Sequence, residues 1–181
     1  YMRFIICIQH TQSVHHTNGM VGSWTDWDIT NIGIQQANRI GENLKKKFSQ
    51  TPFVMYSSDL LRAKHTAEIV GSYLGLSPIL AAELRERNLG KCIGKSVVWM
   101  REHMEMQEHT VDDRMFSDAE SRRDEWNRLL PFYEEKIKRA TDNIIIVSHG
   151  DLLSVFQSMC LGLTVESMNA GELFGKAGGV S

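Results

Sequence analysis

Apolar residues along this chain fall into short continuous runs, separated by longer stretches in which they recur every three or four positions. The runs are Phe4-Ile5-Ile6-Cys7-Ile8, Phe53-Val54-Met55-Tyr56 and Ile144-Ile145-Ile146-Val147. Runs this short and this apolar predict strands buried on both faces, as in a mostly parallel sheet. The spaced pattern predicts helices. Ile32, Ala37, Ile40, Leu44 and Phe48 share one side of a helix that Thr30 can cap, and Lys45, Lys46 and Lys47 fall in its last turns, where the helix dipole favours cations. A second helix, running to about Tyr73, carries Leu60, Leu61, Ala67, Ile69 and Val70 towards the core, with Ser57-Ser58-Asp59 as capping groups. Residues 120–139 read as a strongly charged helix bearing Trp126, Leu129, Leu130, Phe132 and Ile137. Asp151 opens a last one through Leu153, Val155, Phe156 and Met159. Two stretches stand outside both patterns. Residues 9–30, rich in Gly, Thr, Ser, Asn and His, suit a functional loop. Residues 87–118, rich in Met, His and charge, read as a partly helical insertion covering a site.

Strands alternating with helices predict a three-layer α/β/α fold around a mostly parallel sheet. The expected organisation is one domain over residues 1–181 with a small inserted lid at about 87–118, a size that allows a full core. Composition narrows the partners. With 42% hydrophobic and 23% charged residues and a formal net charge of -2, the chain is an ordinary globular sequence without a basic surface, so neither nucleic acid nor membrane is expected. No run is long enough to span a bilayer, and no basic lead, long apolar core or small-residue cleavage site marks a secretory leader. Cys7, Cys92 and Cys160 are odd in number, widely spaced and free of any CxxC pair, which fits a reducing, cytoplasmic setting. Self-association as a homodimer is left open.

The chemistry enters through the strand ends. Two of the three runs lead directly into a histidine, Ile8-Gln9-His10 and Val147-Ser148-His149, and in α/β sheets sites lie beyond the carboxyl ends of strands. A neutral imidazole nitrogen is a competent nucleophile towards phosphorus, and a second, charged imidazole can hold phosphoryl oxygens. Either histidine alone reads more naturally as packing; the pair in matching positions reads as a site.

The surrounding residues resemble the histidine phosphatase superfamily, the phosphoglycerate mutase-like proteins. His10-Thr11-Gln12-Ser13, then Asp26-Trp27-Asp28-Ile29-Thr30-Asn31-Ile32-Gly33 and Gln36-Ala37, are similar to that family's opening, Arg-His-Gly-x-Thr followed by Asp-x-x-Leu-Thr-x-x-Gly-x-x-Gln-Ala. Ser57 to Ala67 resembles its Ser-x-Leu-x-Arg-Ala-x-x-Thr-Ala block, Leu84 to Gly90 its Leu-x-Glu-x-x-x-Gly block, Ala119-Glu120-Ser121 its Gly-Glu-Ser, and Val147-Ser148-His149-Gly150 the block around the second histidine. The resemblance implies that His10 is phosphorylated, that Arg62 clamps the transferring group with its guanidinium fork, and that Glu86 protonates the leaving oxygen and then activates water. It implies that His149 supports the phosphoryl oxygens, that the Gly150 N–H orients a ring or an oxygen, and that Gly22, Ser23 and Arg87 contact substrate. The expected partner is a small-molecule phosphate ester, with no cofactor and no metal.

Ala119 stands for the glycine of Gly-Glu-Ser, and three further departures from the family pattern fall close to the nucleophile. Gln9 stands where the family has the arginine before the nucleophile, which removes a fixed charge from a phosphate clamp; losing one such donor costs on the order of 10²–10³ in rate. Thr11 replaces a glycine, a change that threatens crowding. His16 replaces a frequent asparagine, and with His15 it could restore positive charge beside the phosphate. His15 and His16 also invite a metal reading, set aside because adjacent residues lack a usual ligand spacing. Met100, Met104, Met106 and Met115 read as adaptable packing or an apolar lid. The leading expectation is a phosphomonoesterase working through phospho-His10. A cofactor-dependent phosphoglycerate mutase is the alternative, disfavoured by the short insertion, and a catalytically impaired phosphate-ester binding module is the third, supported by Gln9.

Overall fold

The computed structural model describes residues 3–171 and 173–181; Tyr1, Met2 and Glu172, inside the expected domain, lie outside the described residues. The chain runs β1 (Ile5–Gln9), α1 (His15–Asn18), α2 (Asn31–Phe48), β2 (Phe53–Ser57), α3 (Leu61–Leu74), β3 (Ile79–Leu80), α4 (Val97–His103), α5 (Arg122–Phe132), β4 (Asn143–Ser148) and α6 (Gly150–Cys160). The sheet order is β1-β4-β2-β3, parallel throughout. All three expected strands are present. The fourth, β3, gives no signal in the sequence, because it is two residues long and both are exposed, Ile79 at 52% and Leu80 at 45%.

Each face of the sheet carries its own core, the signature of three layers. Ile6, Ile8, Met55, Ile145 and Val147 pack with Ile40 and Leu44 of α2 and Ala63, Ala67 and Val70 of α3. Cys7, Ile144 and Ile146 pack on the other face with Leu129 and Phe132 of α5 and Leu152, Val155 and Phe156 of α6. The apolar run of β4 is continuous because both of its faces are covered. Phe4, Ile32, Leu61 and Leu130, by contrast, are exposed. Ile32, expected in the core, sits one position before Gly33, and it is Gly33 that packs inward: a Cβ there would come within 2.3 Å of the Gln12 carbonyl.

The caps agree in part with the expected ones. Thr30 caps α2 by accepting from Gly33 N (3.1 Å). The expected cap of α3 is corrected: Leu60 holds the capping position without a side-chain bond, and Ser58 Oγ accepts from Leu60 N instead. The charged helix is capped by a reciprocal Ser121–Asp124 box and continues past Pro131 as a π-helix, Tyr133–Lys138, consistent with the N–H that proline lacks. Segment 87–118 contains α4, a 3-10 turn at Gly90–Cys92 and irregular chain, around a small core of Val21, Cys92, Phe116 and Ala119. Met100 and Met115 pack on that core as expected, whereas Met104 and Met106 are exposed. Gly178-Gly179-Val180-Ser181 folds back along the open edge of β1, bridging Val180 to Ile8 antiparallel and exchanging two backbone bonds between Ser181 and Cys7. Among the described residues no helix is long and apolar enough to cross a membrane, and the three cysteines are unpaired.

Candidate active site

The register of the sheet builds the site. Gln9 pairs with Ser148 in adjacent strands, so His10 and His149 leave the sheet side by side, their ring centroids 5.2 Å apart. A cleft of about 300 Å³ opens above them. Nine of the ten expected site residues line it: Gln9, His10, His16, Gly22, Ser23, Arg62, Glu86, Arg87 and Gly150. The tenth, His149, is fully buried behind His10. His15, which the sequence suggests only as a further source of charge, lines the cleft as well, and Leu89, Asp151 and Phe174 do so without being expected there.

His10 is 3% exposed, and its Nδ1 lies 2.8 Å from the Thr11 carbonyl oxygen. A carbonyl only accepts, so Nδ1 carries the proton and Nε2 keeps its lone pair. Burial, and then the charge of Arg62, push the imidazole well below its usual range, so the ring is neutral at pH 7. Thr11 does not crowd the loop. It is fully buried, takes Thr66 Oγ1 onto its N–H (3.2 Å), and places its own hydroxyl where Gly33 has no side chain.

His149 differs. Its Nε2 lies 2.8 Å from Ser58 Oγ, and its Nδ1 is buried without a partner. Burial and Arg62 also push it well below the usual range, so without a phosphoryl group beside it His149 is neutral. Arg62 is 1% exposed and donates to the carbonyls of Ser23 (2.8 Å) and Thr25 (2.9 Å), leaving its Nε buried and unpartnered. Burial lowers it to about 10, still a cation at pH 7. Ser23 needs a left-handed backbone (φ 44°) to turn its carbonyl to Arg62 while its hydroxyl donates to Arg87 O and accepts from Leu89 N.

Glu86 also lines the cleft and is partly exposed. Its carboxylate accepts from Arg87 N (3.0 Å), from Leu152 N (3.2 Å) and, more weakly, from Asp151 N (3.4 Å), the last two in the first turn of α6. Burial, and then Asp151, raise it to about 7, against the opposing pull of these N–H groups and Arg62. The backbone carbonyl of Glu86 is held by Trp24 Nε1 (2.6 Å) and Arg128. Glu125 of α5, wholly buried with both oxygens unpartnered, is raised well above the carboxylate range by burial and by Asp151 and Glu86. None of Trp24, Arg128, Ser58 or Glu125 is visible in the sequence as a site residue. The contacts that bring Trp24, Arg128 and Ser58 to the site span 62, 42 and 91 positions, and Glu125 is buried there with no partner to point to it.

Arg87 lines the cleft, but its guanidinium pairs with Glu108 of the segment 87–118 (3.0 Å) and with Asp151 (3.4 Å), so it joins that segment to α6. The Gln9 amide sits at the start of α6, where a Cβ on Gly150 would lie 3.4 Å from its Nε2. His16 accepts from Ser13 N at Nδ1 (3.1 Å), leaving Nε2 as a donor, and it stacks on His10 at 5.4 Å. Burial, and then Arg62, lower His16; burial, His16 and Arg62 lower His15 to about 3, so neither restores charge at pH 7. Gly22 lies against the His15 ring, where a Cβ would come within 2.8 Å of Nε2 and the ring would have to shift.

Known proteins share this family and this fold. Residues 5–179 match the model of the histidine phosphatase superfamily, branch 1. The chain is 28% identical to a glucosyl-3-phosphoglycerate phosphatase of Mycolicibacterium vanbaalenii, over 92% of this chain and 77% of that protein. It is also 28% identical to a 2,3-bisphosphoglycerate-dependent phosphoglycerate mutase of Beijerinckia indica, over 94% and 87%. The solved structure of a mycobacterial glucosyl-3-phosphoglycerate phosphatase superposes with a TM-score of 0.79 at 24% identity, over 95% of this chain and 86% of that one.

Proposed function

The chain belongs to the histidine phosphatase superfamily, and from that premise we propose that it hydrolyses a small phosphate monoester through a phosphohistidine at His10. The observation that carries this is the pairing of states in one cleft. A neutral imidazole with its Nε2 free lines the same cleft as a carboxyl group held at about 7. These are the states that a nucleophile and a general acid need.

In the first step His10 Nε2 attacks phosphorus, the ester P–O bond breaks, and Glu86 gives its proton to the departing oxygen. In the second, the Glu86 carboxylate takes a proton from water, the water oxygen attacks phosphorus, and the P–N bond breaks with its electron pair returning to Nε2. Arg62 keeps a unit charge in the cleft, and its unpartnered Nε, like His149 Nδ1, is a buried donor that a phosphoryl oxygen would satisfy. A dianionic phosphoryl group also supplies the negative charge that favours protonated His149. Segment 87–118 acts as the lid, tied to α6 by Arg87 and Asp151. Gln9 contributes a neutral amide in place of a charge, so the enzyme is a slow one. A reducing, cytoplasmic setting agrees with Cys7 and Cys92 lying buried as free thiols.

The mutase reading rests on relatives such as the Beijerinckia indica protein. One experiment separates the two: incubate the full chain with 3-phosphoglycerate, with and without 2,3-bisphosphoglycerate, and with p-nitrophenyl phosphate. The proposal expects phosphate release to exceed isomerisation. Faster isomerisation makes the protein a mutase, and no turnover of any ester leaves the binding-module reading.

A further inference from the structure

Three imidazoles meet at the mouth of the cleft. His15 and His16 come from α1 and His10 from the end of β1, and each offers a ring nitrogen such that the three lie within 4.8 Å of one another. Their ring centroids are 4.1 Å (His15–His16), 5.4 Å (His10–His16) and 5.9 Å (His10–His15) apart. Adjacent helical residues diverge by about 100° and rarely converge; here a third ligand from another element closes the set, which spacing along the sequence could not show. We propose that His10, His15 and His16 bind a divalent transition-metal ion of the zinc, cobalt or nickel type, and that the ion ties up the nitrogen of His10 that attacks phosphorus. The consequence for turnover rests on the phosphohistidine reading above; the binding does not.

The donor set fits such an ion. Neutral imidazole is the preferred ligand of these metals, and three leave a coordination position open. His10 and His15 already have Nδ1 engaged, by the Thr11 carbonyl and the Ser13 hydroxyl (2.8 Å each), which fixes the rings and leaves Nε2 to ligate. His16 must give up the bond it accepts from Ser13 N, or turn its ring. All three rings are neutral at pH 7, so the ion displaces no protons. Metal–nitrogen bonds of about 2.0–2.1 Å bring tetrahedral ligand atoms to about 3.4 Å from one another, so the cluster must contract. His10 is fixed in the sheet, but α1 is four residues long with no buried side chain, and it can follow. Arg62 opposes a cation here as it opposes a proton, so the affinity falls short of that of a structural zinc site.

The test uses the full chain, stripped with EDTA and desalted. Titrate it with Co²⁺, read by visible absorbance, and with Zn²⁺, read by calorimetry. Separately, map diethyl pyrocarbonate modification of His10 by mass spectrometry, with and without Zn²⁺. The proposal expects one ion per chain, affinity weakened at least about tenfold in His15→Gln and in His16→Asn, and His10 protected by Zn²⁺ in the unaltered chain but not in His15→Gln. Circular dichroism confirms that each variant is folded, and two independent variants keep the test decisive if one is not. No binding, binding unchanged in both variants, or binding that leaves His10 equally reactive overturns the proposal. Metal binding with no turnover of any ester sinks the phosphatase reading and leaves this one standing; turnover without metal binding does the reverse.

Discussion

The ends of β1 and β4 start from the same local sequence, a buried apolar strand running into a histidine, and they lie in register side by side. They deliver two different imidazoles. After β1 the chain enters a loop, and the first loop carbonyl, that of Thr11, turns back onto His10 Nδ1. After β4 the chain enters α6 at once, with His149 as its capping residue. Carbonyls in a first helical turn point along the axis, away from the N-terminus, so His149 Nδ1 finds no local acceptor, and its ring is held instead through Nε2 on Ser58. The element that succeeds each strand, loop or helix, therefore decides which nitrogen is free. One ring presents Nε2 for attack, and the other keeps Nδ1 for an oxygen.

Substitutions can break this comparison. The largest effect is expected at His10. His10→Ala removes the nucleophile and should lower kcat by on the order of 10⁴–10⁶, measured as phosphate release; a residual rate within tenfold of the unaltered chain would place the nucleophile elsewhere. Next is Glu86→Gln, expected to lower kcat by roughly 10²–10⁴ and to let phospho-His10 accumulate with p-nitrophenyl phosphate, whose good leaving group needs little acid. The sign of the pH effect comes from the raised carboxyl: Glu86 is protonated below about 7 and ionised above it, so phosphoryl transfer to His10 should fall as pH rises through that value, and this limb should vanish in the Gln variant. His10 itself, pushed below its ordinary range, should keep its lone pair, and its phosphorylation step its rate, under pH 6.5.

His149→Asn sharpens the contrast. It should cost on the order of 10²–10³ while His10 is still phosphorylated, because the attacking nitrogen is untouched. Gln9→Arg is the smallest and the only gain, a rise of about tenfold or more from the restored charge. An unchanged rate would mean that Arg62 already suffices.

How much of this the sequence carries depends on the reach of each contact. β1, β2 and β4 are legible because burial on both faces leaves an uninterrupted apolar run, and α2 because its cap and its apolar side are local. β3 is not, being two exposed residues with neither alternation nor run. Nine cleft-lining residues and His149 are legible from the motif blocks and from positions aligned beside them, yet their states are not. The neutral His149 results from burial and from Arg62, which is brought to it by folding, and the commitment of Arg87 to Glu108 and Asp151 rests on contacts 21 and 64 positions away. The role of Trp24 in holding the Glu86 backbone spans 62 positions and has no local signature.

The central claim is that the nitrogen freed at β1, not the one at β4, takes the phosphoryl group. Incubate the chain with a ³²P-labelled ester, quench in alkali, digest, and map the acid-labile label by mass spectrometry. Label is expected on the peptide carrying His10 and none on that carrying His149. Label on His149, or turnover with neither histidine labelled, would contradict the claim.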